Sequence, residues 1–282
     1  MKSSAGTLEA AADQDPNMFE GVTTVAFLAG RLRRAGVGIG GLVLPLRDPR
    51  LFAKQVATLH ELSGRRLTIA PAIGGHEVDF RIMQRPFERR GRLMDEYLAV
   101  LHAIFYGEHP VSFAGPSVAF ENATLYPKPV GLRIWITGES EPAWARVVRW
   151  GAGWFTSYPA VDDYRAKLAQ LRDTAARAGR DPDSIETAAT MFVCIAESRE
   201  AALRICERSL LDRFGSLERG LARSIVGGSA EVAEGLARRY EAGLRYLELK
   251  FWAHTPAQFM EMMSRVAADV LPAVRALGTR GG

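Results

Sequence analysis

Ile134-Trp135-Ile136-Thr137-Gly138-Glu139-Ser140 is an apolar run that ends in a glycine and a serine and passes directly into a helical pattern at Glu141–Arg149. The run from Arg133 to Thr137 suits a buried strand. Gly138 lets the backbone come close to a ligand. Ser140 is placed to cap the helix, and the free amides and dipole at such a helix start favour a phosphate. The same strand–glycine–serine–helix order also builds ordinary α/β loops, so the segment alone admits both readings. A short strand, Gly153–Thr156, follows at once.

The alternation of strand-like and helical patterns continues in both directions, which argues for parallel βαβ construction. Upstream, Val37–Leu44 and Leu67–Ile73 read as buried strands. Phe19–Arg34, Pro49–Leu62 and Pro86–Phe105 read as helices, Gly74–Arg85 as a loop, and Gly107–Val130 as a small hairpin excursion. Downstream, Ile185–Ile195 and Tyr246–Trp252 read as strands. Helices are expected at Val161–Ala178, Ser198–Leu211, Ser229–Ala242 (with Ser229 as cap) and Thr255–Leu277, and a helix or loop at Phe214–Val226. This makes six strands. No repeat or low-complexity linker divides them, so one domain is expected over residues 17–282, after a small, polar, loose arm at Met1–Pro16.

The 282 residues, 48% hydrophobic and 24% charged, have ordinary globular composition. The net charge of +4 is spread along the chain, with no basic stripe carrying interleaved aromatics, which argues against a nucleic-acid binder. Arg31-Leu32-Arg33-Arg34 reads as the solvated end of a helix. No apolar run approaches the roughly 18 residues that cross a membrane, and the first residues lack the charged and apolar regions of a signal peptide. Cys194 and Cys206 have no metal-ligand spacing and read as buried reduced thiols, which suits a cytoplasmic protein.

The five histidines, His60, His76, His102, His109 and His254, show no metal-pair spacing. No metal ligands are assigned, which disfavours a metal-dependent barrel hydrolase. His60 and His102 fall inside helices. His76 follows a strand on the side where barrel active sites form, and with Glu77 it is a candidate for proton transfer, against the plainer reading of a solvated loop pair. His254, just after the last strand, is a weaker candidate of the same kind. Val226-Gly227-Gly228-Ser229 is a second glycine-rich helix start, read more simply as a capped turn.

Four stretches taken together resemble the luciferase-like monooxygenase superfamily. They are Gly38–Pro45 with Arg47-Asp48-Pro49 and Ala53-Lys54-Gln55; Leu62–Leu67; Pro86–Tyr97; and Pro127-Lys128-Pro129 through Ile134-Trp135-Ile136, Gly138 and Ser140 to Gly151–Trp154. The resemblance implies a TIM-type (β/α)8 barrel and an oxidoreductase or monooxygenase that uses FMN or coenzyme F420 on a small organic substrate. It implies a phosphate grip at Gly138, Glu139 and Ser140, and a non-proline cis peptide at Gly41-Leu42 behind the cofactor ring. The family's opening strand–helix–strand has no counterpart before Phe19, so an incomplete barrel of about six parallel strands is expected. Its open edge would invite a homodimer. A separate flavin reductase is a further expected partner. Four residues depart from the family pattern: Ala70 and Ala72 where glycine leaves room beside the ring, Glu139 beside the phosphate, and Ala152 for an acidic residue. The alternative is a catalytically degenerate barrel that serves as a binding or assembly partner.

Overall fold

The computed structural model describes residues 19–278, so the arm expected at Met1–Pro16 lies outside the described residues. The chain packs as two units, residues 1–154 and 155–282.

The first unit contains α1 (Gly21–Arg31), β1 (Val37–Val43), α2 (Pro49–Leu62), β2 (Leu67–Ala72), α3 (Glu77–Ile82), α4 (Arg90–Tyr106), the hairpin β3 (Val111–Ala114) and β4 (Ala119–Ala123), then β5 (Arg133–Thr137) and α5 (Glu141–Trp150). β1 pairs in parallel with β2, and β2 with β5. Ile39 lies opposite Ile69, and Ile69 opposite Ile134, so these side chains share one face of the sheet. That face is covered by helix. A Cβ on Gly21 of α1 would lie 3.4 Å from the Ile39 side chain, and Ile39, Ile69 and Ile134 are all buried. The opposite face carries Gly38, Gly40, Thr68, Ala70, Arg133 and Trp135.

Local chemistry explains where the helices begin. Asp48 accepts from the amides of Arg50 (2.9 Å) and Leu51 (3.4 Å), and Pro49 opens α2. Phe52, Ala53, Val56, Ala57 and His60 then recur at helical spacing and are buried. Glu20 caps α1 in the same way, accepting from Val22 and Thr23. The segment read as the loop Gly74–Arg85 contains the short helix α3, because Glu77 and Asp79 fill the favourable acidic positions of its first turn.

Strand β6 (Gly153–Ser157) ends the first unit and begins the second. The second unit continues with α6 (Val161–Arg177), β7 (Glu186–Ile195), α7 (Arg199–Phe214), α8 (Leu217–Ala222), β8 (Ser224–Gly227), α9 (Ser229–Glu241), β9 (Tyr246–Phe251), α10 (Pro256–Arg265), one π turn at Val266–Val270 and α11 (Leu271–Gly278). β7 pairs in parallel with both β8 and β9. From Thr187 onward β7 is buried at every position, as a strand covered on both faces must be. Its residues Val193, Cys194 and Ile195 join Cys206, Leu210, Val232 and Met262 in one core. Both cysteines are free and buried.

All six expected strands are present. A seventh, β8, occupies part of the stretch read as helix or loop. The cap expected at Ser229 is also displaced by one residue. Gly228 is the cap, its amide donating to Glu231 Oε2 at 2.8 Å, while Ser229 Oγ bonds Asp269 at 2.9 Å. That helix start is therefore closed by the chain's own carboxylate. No described helix is long and apolar enough to cross a membrane.

Candidate functional site

His254 and the Val226-Gly227-Gly228-Ser229 turn lie in the second unit. The main sequence candidates, Gly41, Leu42, His76, Gly138, Glu139 and Ser140, fall at or just after the C-terminal ends of β1, β2 and β5, all in the first unit. Parallel sheets present their ligand-binding loops at this end.

At the end of β5, Gly138 has φ 119, a left-handed conformation that favours glycine. A Cβ there would come within 2.8 Å of the Ala143 side chain. The turn is held from behind, where Trp154 donates its indole Nε1–H to the Gly138 carbonyl at 2.7 Å. Trp154 is completely buried. Ser140 occupies the cap position of α5 with extended backbone, but its hydroxyl makes no capping bond. Its carbonyl accepts from the Trp144 amide at 3.0 Å. The capping role expected of the Ser140 side chain is thus corrected; the residue is exposed. Pro142 in the first turn has no amide, so Glu141 and Ala143 supply the open donors there. Glu139 is exposed.

The helix that carries these amides is tied to α4. Arg146 donates to Asp95 through Nε (2.6 Å) and Nη2 (3.1 Å), and its Nη2 also reaches the Gly91 carbonyl at 3.2 Å. Asp95 and the Gly151–Trp154 stretch stand in the motifs quoted above, but neither the Arg146 clamp nor the Trp154 bond is visible from sequence spacing. The signal was present only as two polar-capable residues in otherwise apolar faces.

On β1 the expected cis peptide at Gly41-Leu42 is corrected. The cis bonds among the described residues are His109–Pro110 and Tyr126–Pro127. β1 instead carries a bulge. Its register against β2 shifts between Gly40 and Leu42, and Gly41 has φ 70. The extra residue keeps Leu42 opposite Pro71 and buried, and sets Val43 opposite Ala72. Gly40 lies opposite Ala70. The strip Gly38, Gly40, Ala70 and Ala72 is therefore a floor of small side chains, with glycine beside the alanine that departs from the family pattern.

His76 follows β2 through Gly74 and Gly75 and occupies the cap position of α3, half-buried, without a side-chain capping bond. The other histidines are engaged structurally. His60 Nε2 contacts the Val130 carbonyl at 2.9 Å, His109 Nε2 the Ile104 carbonyl at 3.2 Å, and His254 Nε2 the Ile205 carbonyl at 2.8 Å. His102 rests against Tyr106 and Trp150, and burial, then the Arg149 charge, lowers its pKa.

The open amides, the small-residue floor and the glycine turn fit a phosphate-bearing planar cofactor better than a metal, because the donor set is backbone N–H.

Comparison with known proteins agrees with this reading at the level of family and fold. The sequence matches the family described as luciferase-like monooxygenase over residues 5–279. It is 28% identical over 194 residues to 4-hydroxyprotoasukamycin monooxygenase of Streptomyces nodosus subsp. asukaensis, covering 64% of this chain and 51% of that protein. It is 25% identical over 194 residues to the FMNH(2)-dependent dimethylsulfone monooxygenase of Pseudomonas putida, covering 67% and 52%. The chain thus spans about half the length of these curated relatives. Among solved structures, monooxygenase RslO1 from Streptomyces bottropensis shares the fold with a TM-score of 0.77 at 20% identity, covering 90% of this chain and 82% of that one. An F420-dependent secondary alcohol dehydrogenase in complex with an F420-acetone adduct also has a TM-score of 0.77, at 16% identity, covering 91% and 84%. From the family match and its extent, the chain belongs to the luciferase-like monooxygenase family.

Proposed function

We propose that this chain is an oxidoreductase that uses FMN or coenzyme F420 on a small organic substrate. The observation that carries the reading is the glycine turn at Gly138, held open at the C-terminal end of β5 in a member of this family. The relatives span both cofactors: one curated relative is named for FMNH(2) and one structural neighbour for F420.

The cofactor, when bound, supplies hydride or oxygen chemistry. The chain's own residues do the rest. The amides of Glu141 and Ala143, with the Ser140 hydroxyl, hold the phosphate. Gly138 keeps the backbone close enough to do so. Gly41 and Leu42, beside the Gly38–Gly40–Ala70 floor, support the ring. His76 is the proposed group for proton transfer. A homodimer, with a separate reductase supplying reduced flavin, is the proposed assembly in the FMN case.

Titration with FMN and with F420, followed by cofactor fluorescence, tests the assignment. Saturable binding of one of them is expected. Binding of neither rejects the proposal.

A further inference from the structure

The base of the β3–β4 hairpin closes on a histidine. Val111, the first residue of β3, lies opposite Ala123, the last of β4. His109 and Leu125 stand two residues further out along each arm, both half-buried. A side chain continues the ladder there. The Leu125 amide donates to His109 Nδ1 at 3.2 Å, and His109 Nε2 donates to the Ile104 carbonyl, in the last turn of α4, at 3.2 Å. One imidazole thus joins the hairpin's return arm to the end of the helix.

These two bonds fix the state of the ring. An amide N–H only donates, so Nδ1 must hold a free lone pair. A carbonyl only accepts, so Nε2 must hold the proton. The neutral Nε2–H imidazole satisfies both partners. The imidazolium satisfies only Ile104, because its Nδ1–H would point at the Leu125 N–H, donor against donor.

The charged and titratable neighbours come from three directions. Lys128 donates its Nζ to the carbonyls of Ile104 (3.1 Å) and Gly107 (2.8 Å). An ammonium therefore shares the acceptor with the ring and opposes a second positive charge, while the C-terminal end of the α4 dipole favours one. Lys54 of α2 donates to the Tyr126 carbonyl, and the Tyr126 ring lies 5.6 Å from the imidazole. Glu108 is adjacent in the chain and exposed. Glu96 of α4 grips the hairpin at its other end, accepting from the amides of Ser117 (2.7 Å) and Val118 (2.9 Å).

Histidine is the side chain that ordinarily changes charge between roughly pH 5 and 8. We infer that His109 is an acid-sensitive clasp, whose protonation releases Leu125 and frees the hairpin's return arm from the end of α4.

Amide hydrogen exchange on the whole chain, followed by NMR from about pH 7.5 to about pH 5 across the imidazole range, tests this. Protection is taken relative to an unstructured peptide at each pH. Protection of the Leu125 amide is expected to fall about fivefold on acidification, the value of one neutral hydrogen bond, while that of Val118 holds. His109→Asn supplies an amide oxygen, an acceptor that does not titrate, and should make Leu125 protection independent of pH. Should that variant not fold, the wild-type ring decides the question: its nitrogen shifts should report the Nε2–H tautomer at the upper pH. Four results would overturn the inference: Leu125 protection that does not change with pH in wild type, the same fall in His109→Asn, an equal fall at Val118, or an Nδ1–H tautomer.

Discussion

Trp154 donates its indole N–H to the carbonyl of Gly138 at 2.7 Å, so a buried ring at the start of β6 holds the turn that ends β5. This bond links the two halves of the Arg133–Trp154 segment. Trp154→Phe keeps most of the ring and removes the donor. It is expected to cost about 1–2 kcal/mol, since the carbonyl is left partly buried without its partner. FMN or F420 affinity should fall with it. A loss of stability with unchanged cofactor affinity would separate the turn from the binding site.

Asp95 and Arg146 should respond unequally to substitution. The Arg146 side chain is 10% exposed and the Asp95 side chain 55%. Asp95→Ala strands a buried guanidinium and is expected to cost about 1–3 kcal/mol. Arg146→Met leaves a carboxylate that water can reach, and should cost less. Urea unfolding of both variants checks the order; the reverse order would contradict the clamp.

Acid should release two helix caps. For Glu20, burial acts to raise the carboxyl, but the amides of Thr23 and Val22 and the Arg47 guanidinium outweigh it, holding the pKa down at about 2. For Asp48, the Arg50 side chain is the largest influence; burial opposes it, the amides of Arg50 and Leu51 add to it, and the pKa is again about 2. Both folded values lie below the ordinary carboxylate values of 4.5 and 3.8. The stabilisation is therefore complete above that range and lost as pH falls towards 2. Both side chains are partly exposed, so solvent screening limits the effect to about 1 kcal/mol or less. Melting temperature against pH should fall less steeply in the Glu20→Gln, Asp48→Asn double variant. An identical slope would contradict the assignment.

The strands were legible because each either carries a continuous apolar run, such as Met191–Ile195 in β7, or is bounded by glycine and proline. β8 was not. Ser224-Ile225-Val226-Gly227 is only four residues long and follows the helical pattern of Leu217–Ala222, too short to show a period of two. At the site, Gly138 and Ser140 were readable as a helix start, since backbone demands select those residue types. The details set by packing were not. Spacing does not reveal that Ser140 leaves its cap unused, that Gly41 forms a bulge, or that Arg146 reaches Asp95 across 51 residues.

Gly138→Ala tests the turn itself. Its φ of 119 and the 2.8 Å approach of a Cβ to Ala143 place an alanine there under strain, with an expected cost of about 1–3 kcal/mol. A melting curve should show that loss. An unchanged melting temperature would mean that the turn relaxes without cost.

The proposed phosphate grip is tested most directly by paired titrations of the wild-type chain and Gly138→Ala. The pairs are FMN with riboflavin, and F420 with its phosphate-free deazariboflavin. The expected result is that wild type binds the phosphate-bearing member of one pair much more tightly, and that Gly138→Ala removes most of that advantage while leaving the phosphate-free member little changed. Equal affinity for both members of the bound pair in wild type, or a phosphate advantage that survives Gly138→Ala, would contradict it.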